Sequence, residues 1–172
     1  MLLAVNLGAQ APVAPSLFTE AEIKAILAHG PYPAQAKADP SNRVSGKREA
    51  VELGTQLFFD ERLSGNGKMS CGTCHVPERA WTDNARRGPG AMELARNTPT
   101  LVNLTGGHWY GWDGAADSLW SQSLRPILDP RELGATPAHV AQVVRSDREL
   151  SCRYQRAFGA APSPTGDETL LV

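Results

Sequence analysis

Five consecutive residues carry the clearest chemical signal in the chain: Cys71-Gly72-Thr73-Cys74-His75, two thiols three positions apart with an imidazole beside the second. This is the C-x-x-C-H spacing of covalent c-type haem attachment, in which the thiols add across the porphyrin vinyl groups and the histidine becomes an axial iron ligand. Other uses of these residues fit less well. A structural zinc site takes four ligands, and beyond this motif the chain offers the distant Cys152 and scattered histidines. A thioredoxin-like dithiol follows a strand and opens a helix, whereas this one follows the polar loop Ser64-Gly65-Asn66-Gly67-Lys68. The spacing predicts haem c on Cys71, Cys74 and His75, with disulfide, redox dithiol and zinc as weaker alternatives.

The elements that must position this motif read as helices joined by long loops. The chain has 172 residues, 16 Gly and 13 Pro, enough for one domain wrapped around a prosthetic group. Its net charge of −1 gives no electrostatic case for nucleic acid or a membrane surface. Residues 18–30 form a punctuated helix, with a Thr19/Glu22 capping box, a Phe18/Ile23 staple, a face of Ile23, Ile26 and Leu27, and Gly30-Pro31 at its end. A second helix over 45–59 places Ala50, Leu53, Gly54, Leu57 and Phe58 on one stripe. Gly54 within that stripe suggests close approach by another helix or by the haem edge. Further on, 117–128 is helical with Pro126 kinking or ending it, and Thr136-Pro137 opens a helix with Val140, Val143 and Val144 inward. Ser146 and Glu149 then announce a last helix through Leu150, Tyr154, Ala157 and Phe158 to Gly159. His29 and His139 read as a helix-end residue and a solvent-facing residue, and Cys152 as a buried or partly buried free thiol. No β pattern of any length is evident.

The ends suggest processing. Residues 1–17 read as a clipped export signal or a flexible tail: apolar, ending near Ala9-Gln10-Ala11, but without a basic start. They are too short to span a bilayer, so no membrane span is expected. Residues 160–172 read as a linker and the start of a truncated helix, with Thr165 and Glu168 forming a capping box. Bacterial haem attachment takes place outside the cytoplasm, so the expected location is the periplasm.

The runs LGTQLFFDERLSGNGKMSCGTCHVPERAWTD, RNTPTLVN and GWDGAADSLWSQSLRPILDPREL resemble the N-terminal haem domain of bacterial di-haem cytochrome c peroxidases and the related MauG enzymes. The resemblance covers roughly 51–159. It implies an all-α, cytochrome c-like haem domain over 18–159, one domain of a normally two-domain protein, followed in the family by a second haem domain. It further implies peroxide as substrate, a small c-type cytochrome or cupredoxin as electron donor, and room for a homodimer. By position in the family motifs, Trp112 corresponds to the tryptophan that relays electrons between the haems. Glu132 corresponds to a carboxyl that exchanges protons with bound peroxide, and Gln122 to an amide that orients it. Asn97 corresponds to a ligand of a calcium ion. Trp81, Trp109 and Trp120 lack such correspondence and read as packing residues.

The chain also departs from the family pattern. The loop 82–95 has no histidine where classical members carry a sixth iron ligand, which implies an iron open on its distal side. Met92 in the same loop is the alternative distal ligand and would make the domain a monohaem electron carrier. Ala115 stands where a basic residue is expected after Trp112-Asp113-Gly114. The sequence therefore predicts a peroxidase domain, with MauG-like oxidation of a partner protein and electron carriage as alternatives.

Overall fold

The computed structural model describes residues 17–30 and 38–162. The readings made on 1–11 and 165–172 lie outside them. The chain divides into two units, and the first contains helix α1, Glu20–Leu27. Thr19 caps α1 as expected: its amide donates to Glu22 Oε2 at 2.7 Å, and its hydroxyl accepts from the Glu22 amide at 3.3 Å. No residue of α1 is buried, and Ile23, Ile26 and Leu27 are exposed.

The second unit carries α2 (Arg48–Phe58), the single-turn α3 (Cys71–Cys74), α4 (Leu119–Leu128), α5 (Pro137–Ser146) and α6 (Arg148–Phe158). Long loops and short 3-10 turns connect them. Among the described residues there is no named strand, only one bridge between Tyr110 and Ala116. Helix α2 begins later than its apolar stripe suggests, because Gly46 takes a left-handed φ of 75° and Lys47 is extended. Helix α6 packs against both α2 and α5. Leu53, Val140, Val143, Val144, Leu150 and Tyr154 fill the core between them. Tyr154 and Phe158, one turn apart on α6, stack at 4.4 Å, and the Arg43 guanidinium lies 5.1 Å from the Phe158 ring centre.

Several local expectations are corrected. Pro126 lies within α4 and does not end it. Its missing N–H leaves the Gln122 carbonyl without its usual helical donor. The α6 cap is Asp147, not Ser146: its carboxylate accepts from the amides of Glu149 at 2.8 Å and Leu150 at 3.1 Å, while Ser146 donates back to the Val143 carbonyl. Cys152 is exposed, because it lies about 200° around α6 from the inward Leu150. His139 does not simply face solvent: its Nε2 donates to the Arg62 carbonyl at 2.8 Å, tying α5 to the turn before the Cys71 loop. Among the described residues, no atom beyond its own helical turn lies within 4 Å of where a Gly54 side chain would begin, so none of the described helices closes on it.

Candidate functional site

The loop ahead of α3 is built on one buried hydroxyl. Ser64 Oγ donates to the Glu61 carbonyl at 2.8 Å and accepts from the amides of Lys68 and Met69 at 3.1 and 3.2 Å. These bonds fold the loop ahead of Ser70, where the Thr73 hydroxyl accepts from the Ser70 amide at 2.9 Å and starts the α3 turn. The turn closes when the His75 amide donates to the Cys71 carbonyl at 2.9 Å. A side chain at Gly72 would collide with the Phe59 ring, so α3 is held against the end of α2.

The imidazole of His75 is fixed on one side. Its Nδ1 lies 3.0 Å from the Trp81 carbonyl, which can only accept. Nδ1 therefore carries the proton, and Nε2 keeps a lone pair free to bind a metal. Phe58 lies edge-on to Trp81 at 5.8 Å and tilted to His75 at 6.2 Å, closing the other side of the ring. The Trp81 carbonyl is aimed by two successive left-handed residues, Ala80 at φ 54° and Trp81 at φ 59°. Neither is glycine, so each costs on the order of 1–2 kcal/mol and has to be held by its surroundings.

Cys71, Cys74 and His75 open onto a cavity of about 960 Å³ that also takes in Trp112, Gln122 and Glu132. This lies at the upper end of the ~300–1,000 Å³ usual for cofactor and ligand sites. Its wall is mostly apolar, with Leu53, Leu57, Phe58, Leu101, Leu104 and Met69 among its residues. Burial pushes the Cys74 thiol up to about 11 and the Cys71 thiol in the same direction, and the Asp83 and Glu132 carboxylates add to the shift at Cys74. Both sulfurs are free thiols that stay protonated near neutrality, unlike the thiolate an active redox dithiol requires.

The polar part of the wall comes from α4 and the loop after it. Gln122 points its Oε1 into a buried position with no hydrogen-bond partner. Glu132 follows a turn in which Arg131 chelates Asp129, at 2.6 Å for the closest pair. Burial, reinforced by the Asp129 carboxylate, raises the Glu132 pKa, while Arg131 and Arg125 pull it the other way. Two loops fix its backbone. The Gly65 amide donates to the Leu133 carbonyl at 2.8 Å, and the amides of Ala91 and Met92 donate to the carbonyls of Glu132 and Arg131 at 3.2 and 3.1 Å.

The remaining predicted residues lie apart from the cavity wall. Met92 is tied to the Glu132 loop through its backbone, but its side chain is 56% exposed and does not line the cavity. Asn97 is exposed, and its carbonyl accepts the Trp112 indole N–H at 2.8 Å. Among the described residues no group of three or more His, Cys, Asp or Glu could hold a metal ion. Trp109, expected to be a packing residue, is 71% exposed and stands on the cavity wall near Trp112, which is 55% exposed. Sequence reasoning missed Ser64 and the Trp81 carbonyl. A buried serine in a polar loop and a backbone acceptor leave no distinctive pattern of residue types.

These observations test whether a covalent haem fits. The cavity has the size for one, the thiols open onto it, His75 presents a free Nε2, and Gln122 and Glu132 supply polar groups on its wall. The bare Gly54 wall leaves room where no protein atom fills it. Cys71, Cys74 and His75 fit the group.

Comparison with known proteins agrees. The family described as di-haem cytochrome c peroxidase matches residues 48–170. The chain is 40% identical over 114 residues to the methylamine utilization protein MauG of Methylorubrum extorquens, covering 65% of this chain and 32% of that protein. It is 35% identical over 114 residues to the cytochrome c551 peroxidase of Nitrosomonas europaea, covering 65% of this chain and 34% of that protein. Among solved structures, a MauG-like protein associated with microbial copper homeostasis superposes with a TM-score of 0.68 at 29% identity, over 82% of this chain and 43% of that one. The chain thus spans about a third of the length of the curated relatives it matches.

Proposed function

The chain belongs to the di-haem cytochrome c peroxidase family, and from that premise we propose that it forms the peroxide-reacting haem region of a periplasmic enzyme that reduces hydrogen peroxide to water. The observation that carries this reading is the cavity itself, where a protonatable Glu132 carboxyl and the Gln122 side chain share one wall with Cys71, Cys74 and His75. Bound there, a c-type haem would supply a redox-active iron able to pass two electrons to the O–O bond.

This chain's own residues would do the rest. Cys71 Sγ and Cys74 Sγ would anchor the porphyrin, and His75 Nε2 would ligate the iron while its Nδ1–H donates to the Trp81 carbonyl. Gln122, on the same wall, would help orient the peroxide. The Glu132 carboxylate would take a proton from the near peroxide oxygen and return it to the departing one. With two protons from solvent and two electrons, both oxygens leave as water. The raised pKa of Glu132 brings proton uptake and release closer to neutral pH than an ordinary carboxylate would. Trp112, anchored to Asn97 and exposed on one side, would pass electrons inward from a c-type cytochrome or cupredoxin by way of a second haem.

A second reading has its own support. The exposed Trp109 and Trp112 on the cavity wall offer a route for oxidising a partner protein, as suits the 40% identity to MauG. Peroxide-dependent modification of a trapped partner would distinguish it from a peroxidase. Electron carriage through Met92 draws no support from an exposed thioether off the cavity wall. Glu132→Gln in the haem-loaded chain tests the main reading. Haem content should be unchanged and the peroxide reaction slowed by about 10²-fold or more, and an unchanged rate removes Glu132 from the chemistry.

A further inference from the structure

We infer that Thr82, Thr98 and Thr100 form a clasp on the His75 side of the cavity that sets how strongly His75 donates to the iron. The inference rests on the haem reading above and names residues that reading does not use.

The clasp joins two short segments without regular structure, Ala80–Asp83 and Thr98–Thr100. Thr82 Oγ1 donates to the Thr98 carbonyl at 2.8 Å, Thr98 Oγ1 donates to Asp83 Oδ2 at 2.7 Å, and Thr100 Oγ1 donates to the Ala80 carbonyl. Thr98 is buried, so its hydroxyl has little access to water as an alternative partner. The clasped segment contains the left-handed pair Ala80 and Trp81, whose conformation presents the Trp81 carbonyl to His75 Nδ1. On its near side the turn closes on itself, the amides of Arg79 and Trp81 both donating to the Val76 carbonyl. That closure leaves the far side free to relax, and the three threonines hold it. The residue just before the clasp, Asn97, accepts the Trp112 indole N–H, so one short segment holds both Trp112 and the partner of the axial histidine.

The consequence is electronic. A hydrogen bond from Nδ1 to a fixed carbonyl makes Nε2 a stronger donor and favours ferric over ferrous iron. A loosened clasp lets the Trp81 carbonyl drift, weakens that bond and favours the ferrous form.

The test uses the full chain matured with covalent haem. Its readouts are the midpoint potential and the iron–histidine stretch of the ferrous form by resonance Raman. Thr82→Val removes one bond of the clasp while keeping the side-chain shape. Thr100→Val removes another independently, and Thr82→Ser restores the first. Both valine variants should keep full haem content, lower the stretching frequency and raise the ferrous-to-ferric ratio at fixed potential about three- to tenfold, tenfold being about 59 mV for a one-electron couple. Thr82→Ser should return both readouts to the wild-type values. Unmoved potential and stretch in both valine variants, with full haem content, overturn the clasp and leave the haem reading standing. A wild-type chain that matures without covalent haem overturns the haem reading and the role of the clasp with it.

Discussion

Gly90→Ala should disable the site through the backbone that holds Glu132. A methyl at Gly90 would collide with the Arg131 carbonyl and come within 3.0 Å of the Met92 carbonyl and 3.2 Å of Leu94 Cδ2. The Arg131 oxygen is backbone and cannot rotate away, so the Gly90 loop and the Glu132 loop have to part. Two hydrogen bonds join them, from the amides of Ala91 and Met92 to the carbonyls of Glu132 and Arg131. At ~0.5–1.5 kcal/mol each, their loss predicts a destabilisation of about 1–3 kcal/mol. The larger effect is on the reaction, since displacing a catalytic group by about 1 Å can cost on the order of 10²-fold. The assay is stopped-flow reaction of the ferric, haem-loaded chain with peroxide, alongside a urea midpoint. Gly106→Ala is the control, because no atom lies within 4 Å of the added methyl and the residue is exposed. A Gly90→Ala chain that loses stability yet reacts with peroxide within about twofold of wild type would show that this pairing does not hold Glu132 in place.

Other consequences follow from the same structure. Leu150 has no exposed surface at the centre of the α2, α5 and α6 packing, so Leu150→Ala should cost about 2–5 kcal/mol in urea denaturation, and a cost under about 1 kcal/mol would mean the core is arranged differently. The Arg131 guanidinium holds the Asp129 carboxyl at about 2, below the ordinary aspartate value of about 3.9. A depressed carboxyl pKa adds stability above the unfolded-state value that is lost as pH falls toward 2. Acid titration by circular dichroism should therefore show Arg131→Ala unfolding at a higher pH than the wild type, with the stability difference between the two chains vanishing near pH 2. Trp112→Phe removes the bond to the Asn97 carbonyl, and it should leave the peroxide step intact while slowing reduction by an added donor about tenfold, equivalent to about 1.4 kcal/mol of barrier. Equal donor kinetics would take Trp112 out of the electron route.

The parts of the site visible in the sequence are those whose chemistry lies in side chains at fixed spacing. Cys71, Cys74 and His75 announce themselves, and Thr19 and Glu22 mark the start of α1. The valines of α5 and Leu150, Tyr154 and Ala157 of α6 fall inward at helical spacing, as their pattern predicts. Resemblance adds Trp112, Gln122 and Glu132, and the fold gathers all three around one cavity. Spacing could not reveal the groups that orient them, because these act through backbone atoms: the Trp81 carbonyl, the Asn97 carbonyl, and the amides of Ala91 and Met92. The errors are also physical. Asp147 outcompetes Ser146 as a cap because its carboxylate accepts from two amides at once, and Pro126 is carried inside α4 at the cost of one helical bond, to the Gln122 carbonyl. The exposure of Met92 and Trp109 is set by loops whose course has no periodicity to read.

The most direct test of the account is the ferric spin state by electron paramagnetic resonance, measured on the chain matured in a haem-attaching periplasm. With His75 holding the iron as proposed and Met92 lying away from the cavity, a high-spin signal is predicted, as expected of an iron that can still take peroxide beside Glu132. A low-spin signal would mean that a second protein ligand fills the position peroxide needs, and would contradict the proposed reaction at this site.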